Sequence, residues 1–306
     1  MPSLDDAPEP TDDPGVGSAD PVRPSDALES PGPSGPVDPT GSADSEPSAA
    51  PEPNGSPEPN DATPEPRDED ADDPRLSDEY LRTVAHPDGD VTLVGVVHDH
   101  PASVFRARAV VRDRDPETVA LEVPPLATPL YRTYARSDRT PPAFGGEMSA
   151  AAQAGRECDA DVVGVDGPTG GFFARLARNW WRDGASPGTL RRVASGVASV
   201  TRHALTCRVA AAVARRTALR VEVDDPVAHD CTRADPPAVQ ASDERAQARR
   251  SQSLLRAFDP PRPVALRDET REEHMAGELA SLRERGDTVA VVGLDHLDAV
   301  AERLRE

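Results

Sequence analysis

Apolar residues in this chain gather into short runs separated by longer amphipathic stretches. VTLVGVV (91–97), TVALEV (118–123), DVVGVD (161–166) and TVAVVGL (288–294) are rich in β-branched residues and are of strand length. They do not alternate apolar with polar, which is the pattern of strands buried on both faces. Between them the period lengthens. Residues 101–113 place Val104, Ala107, Val110 and Val111 on one side of a helix, and residues 147–158 repeat that spacing around AAAQAGREC. The stretch 172–215 reads as two or more helices. Further helices are expected at about 241–257 and 266–285, and a short one closes the chain through Leu297, Val300 and Leu304. Ser77 is placed to cap a short helix over DEYLRTVA, Pro87-Asp88-Gly89-Asp90 is a turn, and LRVEV (219–223) is a further candidate strand. Buried strands alternating with helices predict an α/β fold, a mostly parallel sheet with helices on both faces.

The first quarter of the chain does not fit this pattern. Residues 1–75 hold 20 Asp or Glu, 3 Arg and 18 Pro, with repeats such as PEPNGSPEPNDATPEP. Such a segment has almost no apolar surface to bury, so it is expected to be a disordered acidic tail ahead of a domain over 76–306. Within that domain, 172–260 is expected to be a helical insert or lid. The tail carries −17 of the net charge of −21. The acidic balance argues against a nucleic-acid partner, which requires a basic face. All 34 basic residues are Arg, and the excess of acid without Lys fits either a GC-rich genome or a high-salt cytoplasm. No basic and apolar leader opens the chain, and no apolar run is long enough to span a bilayer, so a cytoplasmic protein without an integral membrane segment is expected. Cys158, Cys207 and Cys231 are not spaced as a zinc motif or a disulfide framework, and idle thiols are expected.

Candidate chemistry lies where the strands end. In a parallel sheet, ligands bind beyond the carboxyl ends of the strands. There the sequence places His98, Glu122, Asp166 and His296, and two of these histidines close the same pattern, Gly95-x-x-His98 and Gly293-x-x-His296. Imidazoles and carboxylates converging on one cleft can hold a divalent metal or act as acid and base. Gly three residues before each His suggests a close approach of backbone or ligand. Asp99 and His100 are additional local candidates. His203, His229 and His274 show no pattern and are expected to be structural. Phe172-Phe173 with Trp180-Trp181 forms an aromatic cluster expected to belong to the core or an interface.

The ordered series GVVHDHPASV, VALEV, GGEMSAAAQAGRECDADVVGVD, TREEHMAGEL and VAVVGLDHLDAV resembles the TraB family (the TraB/PrgY/GumN group) over residues 91–166 and 264–304. The resemblance matches the family's first G-x-x-H to Gly95 and His98, and its strand-two Glu to Glu122. Its helix-opening Glu falls on Glu147, its Arg before a Met-containing helix on Arg271, and its closing G-x-x-H on Gly293 and His296. The chain departs from the family after Glu122, where Val123 and Pro124 stand, and at Asp166-Gly167 and Leu294-Asp295. The family includes the Tiki proteins, described as metal-dependent proteases, and bacterial members linked to peptide-pheromone shutdown. The resemblance therefore implies a metal-dependent, peptidase-like hydrolase acting on a peptide or small-molecule substrate. His98, His296 and Glu122 would hold a divalent Mn, Co or Zn ion. Glu122, Glu147 and Arg271 would serve as catalytic residues, Arg271 by holding a substrate carboxylate or oxyanion. The competing expectation is a non-catalytic module that binds a peptide or small ligand in signalling.

Overall fold

The computed structural model describes residues 73–217, 223, 227–257 and 260–306, all within one unit, Pro64–Glu306. The expected tail over 1–72 and the expected strand over 219–222 lie outside these residues. The last three tail positions, 73–75, are described and packed. Asp73 caps a single 3-10 turn, Pro74–Leu76, and the Arg75 guanidinium lies 3.4 Å over the Phe105 ring.

The described residues form an α/β fold built on a five-stranded sheet. Its strands are β1 (Leu81–Val84), β2 (Val91–Val96), β3 (Thr118–Leu121), β4 (Asp161–Gly164) and β5 (Thr288–Gly293), in the order β1-β2-β5-β3-β4. β1 runs antiparallel at the edge, and every other pairing is parallel. The last strand is thus threaded between β2 and β3, which brings both G-x-x-H motifs to neighbouring strands. The pleat splits β2, β3 and β5 between two cores. Val94, Val96, Val119, Leu121, Val289 and Val291 pack against α1 (Pro101–Arg114) and α3 (Gly146–Glu157). Leu93, Ala120, Ala290 and Val292 pack on the other face against α7 (Arg262–Arg283) and α8 (Leu294–Arg305). Helices thus cover both faces, as the unbroken apolar strands require.

Local departures from the sequence reading have physical causes. The segment expected as a helix over DEYLRTVA is one 3-10 turn, Asp78–Tyr80, capped by Ser77, followed by β1. Pairing of Leu81–Val84 with β2 satisfies the backbone of that edge, and this tertiary gain overrides local helix preference. A short helix not foreseen, α2 (Thr128–Tyr134), starts at a Thr-Pro step, where Pro suits the first helical turn. The stretch expected as two or more helices consists of α4 (Gly170–Asp183) and the long α5 (Pro187–Arg216). α6 (Pro237–Ala257) lies against α1. The aromatic cluster divides: Phe172 is core, Trp180 donates from Nε1 to the Ala185 carbonyl at 2.7 Å, and Trp181 is 83% exposed.

One buried cation ties the amino-terminal elements to α6. Arg106 on α1 is fully buried. Its guanidinium pairs with the buried Glu244 of α6, donates to the Gly95 carbonyl at 2.8 Å and to the Arg75 carbonyl at 2.7 Å, and lies 3.8 Å over the Tyr80 ring. Ser103 donates to the same Glu244 carboxylate and accepts from the Val97 amide at 2.8 Å. Removing one partner leaves an uncompensated buried charge, which costs about 3–5 kcal/mol. Glu244→Ala should therefore lower the unfolding free energy in urea by about that amount, and a loss below about 1 kcal/mol, as for a surface pair, would contradict this role.

Candidate functional site

Four parallel strands deliver side chains to one edge in the spatial order of the sheet: His98 beyond β2, His296 beyond β5, Glu122 directly after β3, and Asp166 beyond β4. α7 crosses this edge and contributes Arg271 and Glu272. Arg271 is the hub. It donates from Nη2 to Glu122 Oε1 at 2.5 Å and to Asp166 Oδ2 at 2.9 Å, and from Nε to Asp166 Oδ1 at 3.2 Å. Burial works against its charge, but the carboxylates of Asp166 and Glu122 outweigh that and raise its pKa further. Its Nη1 lies 3.2 Å from His296 Nε2, and His296 Nδ1 lies 3.2 Å from Glu272 Oε1. For His296, burial favours the neutral ring. The bond to Glu272 and the field of Glu122 together prevail over burial and the Arg271 charge, and its pKa is raised. A proton on Nε2 would then face Arg271 Nη1, a second donor, so charging the ring requires that contact to open.

His98 forms a second group. Its Nδ1 is 2.8 Å from Glu147 Oε1, and the Asp99 amide donates to Glu147 Oε2 at 2.9 Å. Glu147 opens α3 and is buried, whereas the His98 side chain is 61% exposed. The result is an accessible imidazole anchored from behind by a fixed carboxylate. The Glu147 hydrogen bond is the main reason the His98 pKa is raised, to about 9. Glu122 also acts on His98 through its charge, which links the two groups electrostatically.

The two motif glycines serve different ends. A side chain at Gly95 would meet Leu297 Cδ2 at 2.8 Å, so this glycine lets α8 close on β2 and faces no ligand. Gly293 presents its amide to Glu122 Oε2 at 2.5 Å and fixes that carboxylate.

The structure brings Glu122, Arg271 and His296 together and pairs His98 with Glu147. It does not gather His98, His296 and Glu122 around one point: His296 Nε2 lies 3.8 Å from Glu122 Oε1 with Arg271 bonded to both, and His98 is held by Glu147. This arrangement does not fit an ion shared by those three donors, because a guanidinium already provides the cation. Beside Arg271 and Asp166 opens a cavity of about 220 Å³ walled by Pro168, Phe172, Val197, Val200 and Arg267.

Among the described residues, one cluster has the spacing to hold a metal ion: His100, Cys231 and Asp243, whose donor atoms all lie within 4.8 Å of one another. His100 Nε2 is 3.1 Å from Asp243 Oδ2 and 3.6 Å from Cys231 Sγ. His100 was a local candidate in the sequence; Cys231 and Asp243 were not. No local pattern marks them, since they meet His100 only through contacts spanning 131 and 143 residues.

No helix among the described residues is long and apolar enough to cross a membrane. Compared with protein-family models, curated proteins and solved structures, the chain matches none.

His98 should titrate near 9, as followed by imidazole NMR shifts, and Glu147→Gln should bring it down toward its ordinary 6.5. Because the folded value is raised, the stability this pair contributes is complete below about 6.5 and is lost as pH rises through about 9. An unchanged His98 titration in Glu147→Gln would show that the carboxylate does not govern the ring.

Proposed function

We propose that this protein is a hydrolase of the peptidase-like class, acting on a peptide or ester bond at the carboxyl edge of its sheet. The observation that carries this reading is the exposed His98 imidazole fixed by the buried Glu147 carboxylate, on the same sheet edge as Arg271. In its neutral form such an imidazole can take a proton from an attacking water, and Glu147 then stabilises the imidazolium that forms. Arg271, already ordered by two carboxylates, can hold a substrate carboxylate or a developing oxyanion. Glu122 orients Arg271.

The TraB-like motif series adds a divalent Mn, Co or Zn ion to this reading. Held by His98, His296 and Glu122, that ion would have to displace Arg271, and no role given above depends on it.

A second reading has its own support. Arg271 is charge-paired with Glu122 and Asp166, and the adjoining cavity is mostly apolar with Arg267 at its wall. A binding module for a small carboxylate with an apolar body fits these features without catalysis.

The test is hydrolysis of a panel of peptides and esters by the full chain, with and without added Mn²⁺, Co²⁺ or Zn²⁺. His98→Ala should reduce the rate by about 10²–10⁴-fold, the usual weight of general acid–base assistance. The wild-type rate should rise with pH toward about 9, as the raised His98 loses its proton. Ligand binding without turnover, unaltered in His98→Ala, would replace the hydrolase by the binding module.

A further inference from the structure

The strap formed by residues 227–235 crosses the loop that carries His98. It is tied there by the Val227 amide donating to Asp99 Oδ2 at 3.1 Å and by His229 Nε2 donating to the His98 carbonyl at 2.9 Å. Cys231 descends from this strap to meet His100 of the loop and Asp243 of α6. Three segments distant in sequence thus supply a thiol, an imidazole and a carboxylate to one point. The His100 side chain is fully buried, that of Asp243 is 13% exposed, and Cys231 is 6% exposed. We infer that His100, Cys231 and Asp243 form a binding site for a borderline-soft divalent cation, Zn²⁺ foremost, that fastens the strap to the His98 loop.

The donor set selects the ion. Sulfur and imidazole nitrogen with a single carboxylate suit Zn²⁺ or Co²⁺ and do not suit Mg²⁺ or Ca²⁺, which take oxygen ligands. Charge balance agrees, because a thiolate and a carboxylate neutralise the ion. A surrounding layer is in place. Gln247 Nε2 donates to Asp243 Oδ2 at 3.1 Å, Gln247 Oε1 lies 3.0 Å from His229 Nδ1, and the His229 ring meets the His100 ring edge-on at 4.8 Å between centroids. This layer fixes the carboxylate as outer partners fix the ligands of metal centres.

The protons balance simply. Cys231 releases one proton to solvent for each ion bound. The single ring proton of His100, which Nε2 now donates to Asp243, moves to Nδ1. That nitrogen then stops accepting the Ala102 amide, a bond of 3.1 Å that caps α1.

The experiment uses the full chain, stripped with chelator, kept reduced and titrated with Co²⁺. The expected result is one Co²⁺ per chain, a near-ultraviolet thiolate-to-cobalt absorption, bleaching on addition of Zn²⁺, and a higher melting temperature with either ion. Cys231→Ser should lose the absorption and the thermal shift, Asp243→Asn should weaken Co²⁺ binding by at least about tenfold, and the Cys158→Ser/Cys207→Ser double variant should keep the band. A His98→Ala/His296→Ala variant should also keep it, so failure of this site and failure of the hydrolase reading are separable. Absence of the band in the wild type, its survival in Cys231→Ser, or its loss in the double Cys variant would overturn the site.

Discussion

The carboxyl edge of the sheet is organised by one guanidinium. Arg271 reaches Glu122 after β3, Asp166 after β4 and His296 after β5, so three strand ends are fixed relative to α7 through a single side chain. The constraint is electrostatic. Glu122 and Asp166 are nearly excluded from water, and carboxylates in that state need a paired cation to remain charged. With Arg271 in place the edge is an ordered, charge-compensated surface. Without it two buried anions would face each other and His296, and that end of the sheet would either take up another cation or open.

The chemistry proposed for the molecule follows from what Arg271 leaves unengaged. His98 stands outside its reach on the other side of β5, backed by its own carboxylate and open to solvent. The edge is therefore divided between a neutralised carboxylate–arginine network suited to holding an anionic group and a polarised imidazole suited to moving a proton. The strap over residues 227–235 adds a third element, since it bonds to the His98 carbonyl and to the carboxylate of the adjacent Asp99. The loop that positions the imidazole is thus held by α3 through Glu147, by α6 through His100 and Asp243, and by the strap.

Much of the fold was legible because unbroken apolar runs of strand length have few other solutions. The sequence patterns at 91–97, 118–123, 161–166 and 288–294 each became a parallel strand, and residues 101–113 and 147–158 became the helices of one face. β1 was not legible, because LRTV becomes a strand only through pairing with β2. Glu122, Arg271 and His296 do meet, as expected of strand ends on a shared edge. Which partner each would choose was beyond the sequence. Whether Arg271 bonds to both Glu122 and His296 depends on the rotation of α7 over the sheet, and whether His98 turns to Glu147 depends on where α3 begins. The His100–Cys231–Asp243 cluster was the least readable, since it arises from a strap, a loop and a helix whose spacing carries no periodic signal.

The claim that Arg271 is the internal cation governing this edge is tested most directly by the titration of His296 in Arg271→Met, followed by NMR in the folded variant. Glu122 and Glu272 raise that histidine while Arg271 holds it down. The account predicts a His296 pKa higher in the variant than in the wild type, because the field of Glu122 is then unopposed. A value that stays the same or falls would mean that Arg271 does not set the charge state of the edge, and the division of the site described above would be wrong.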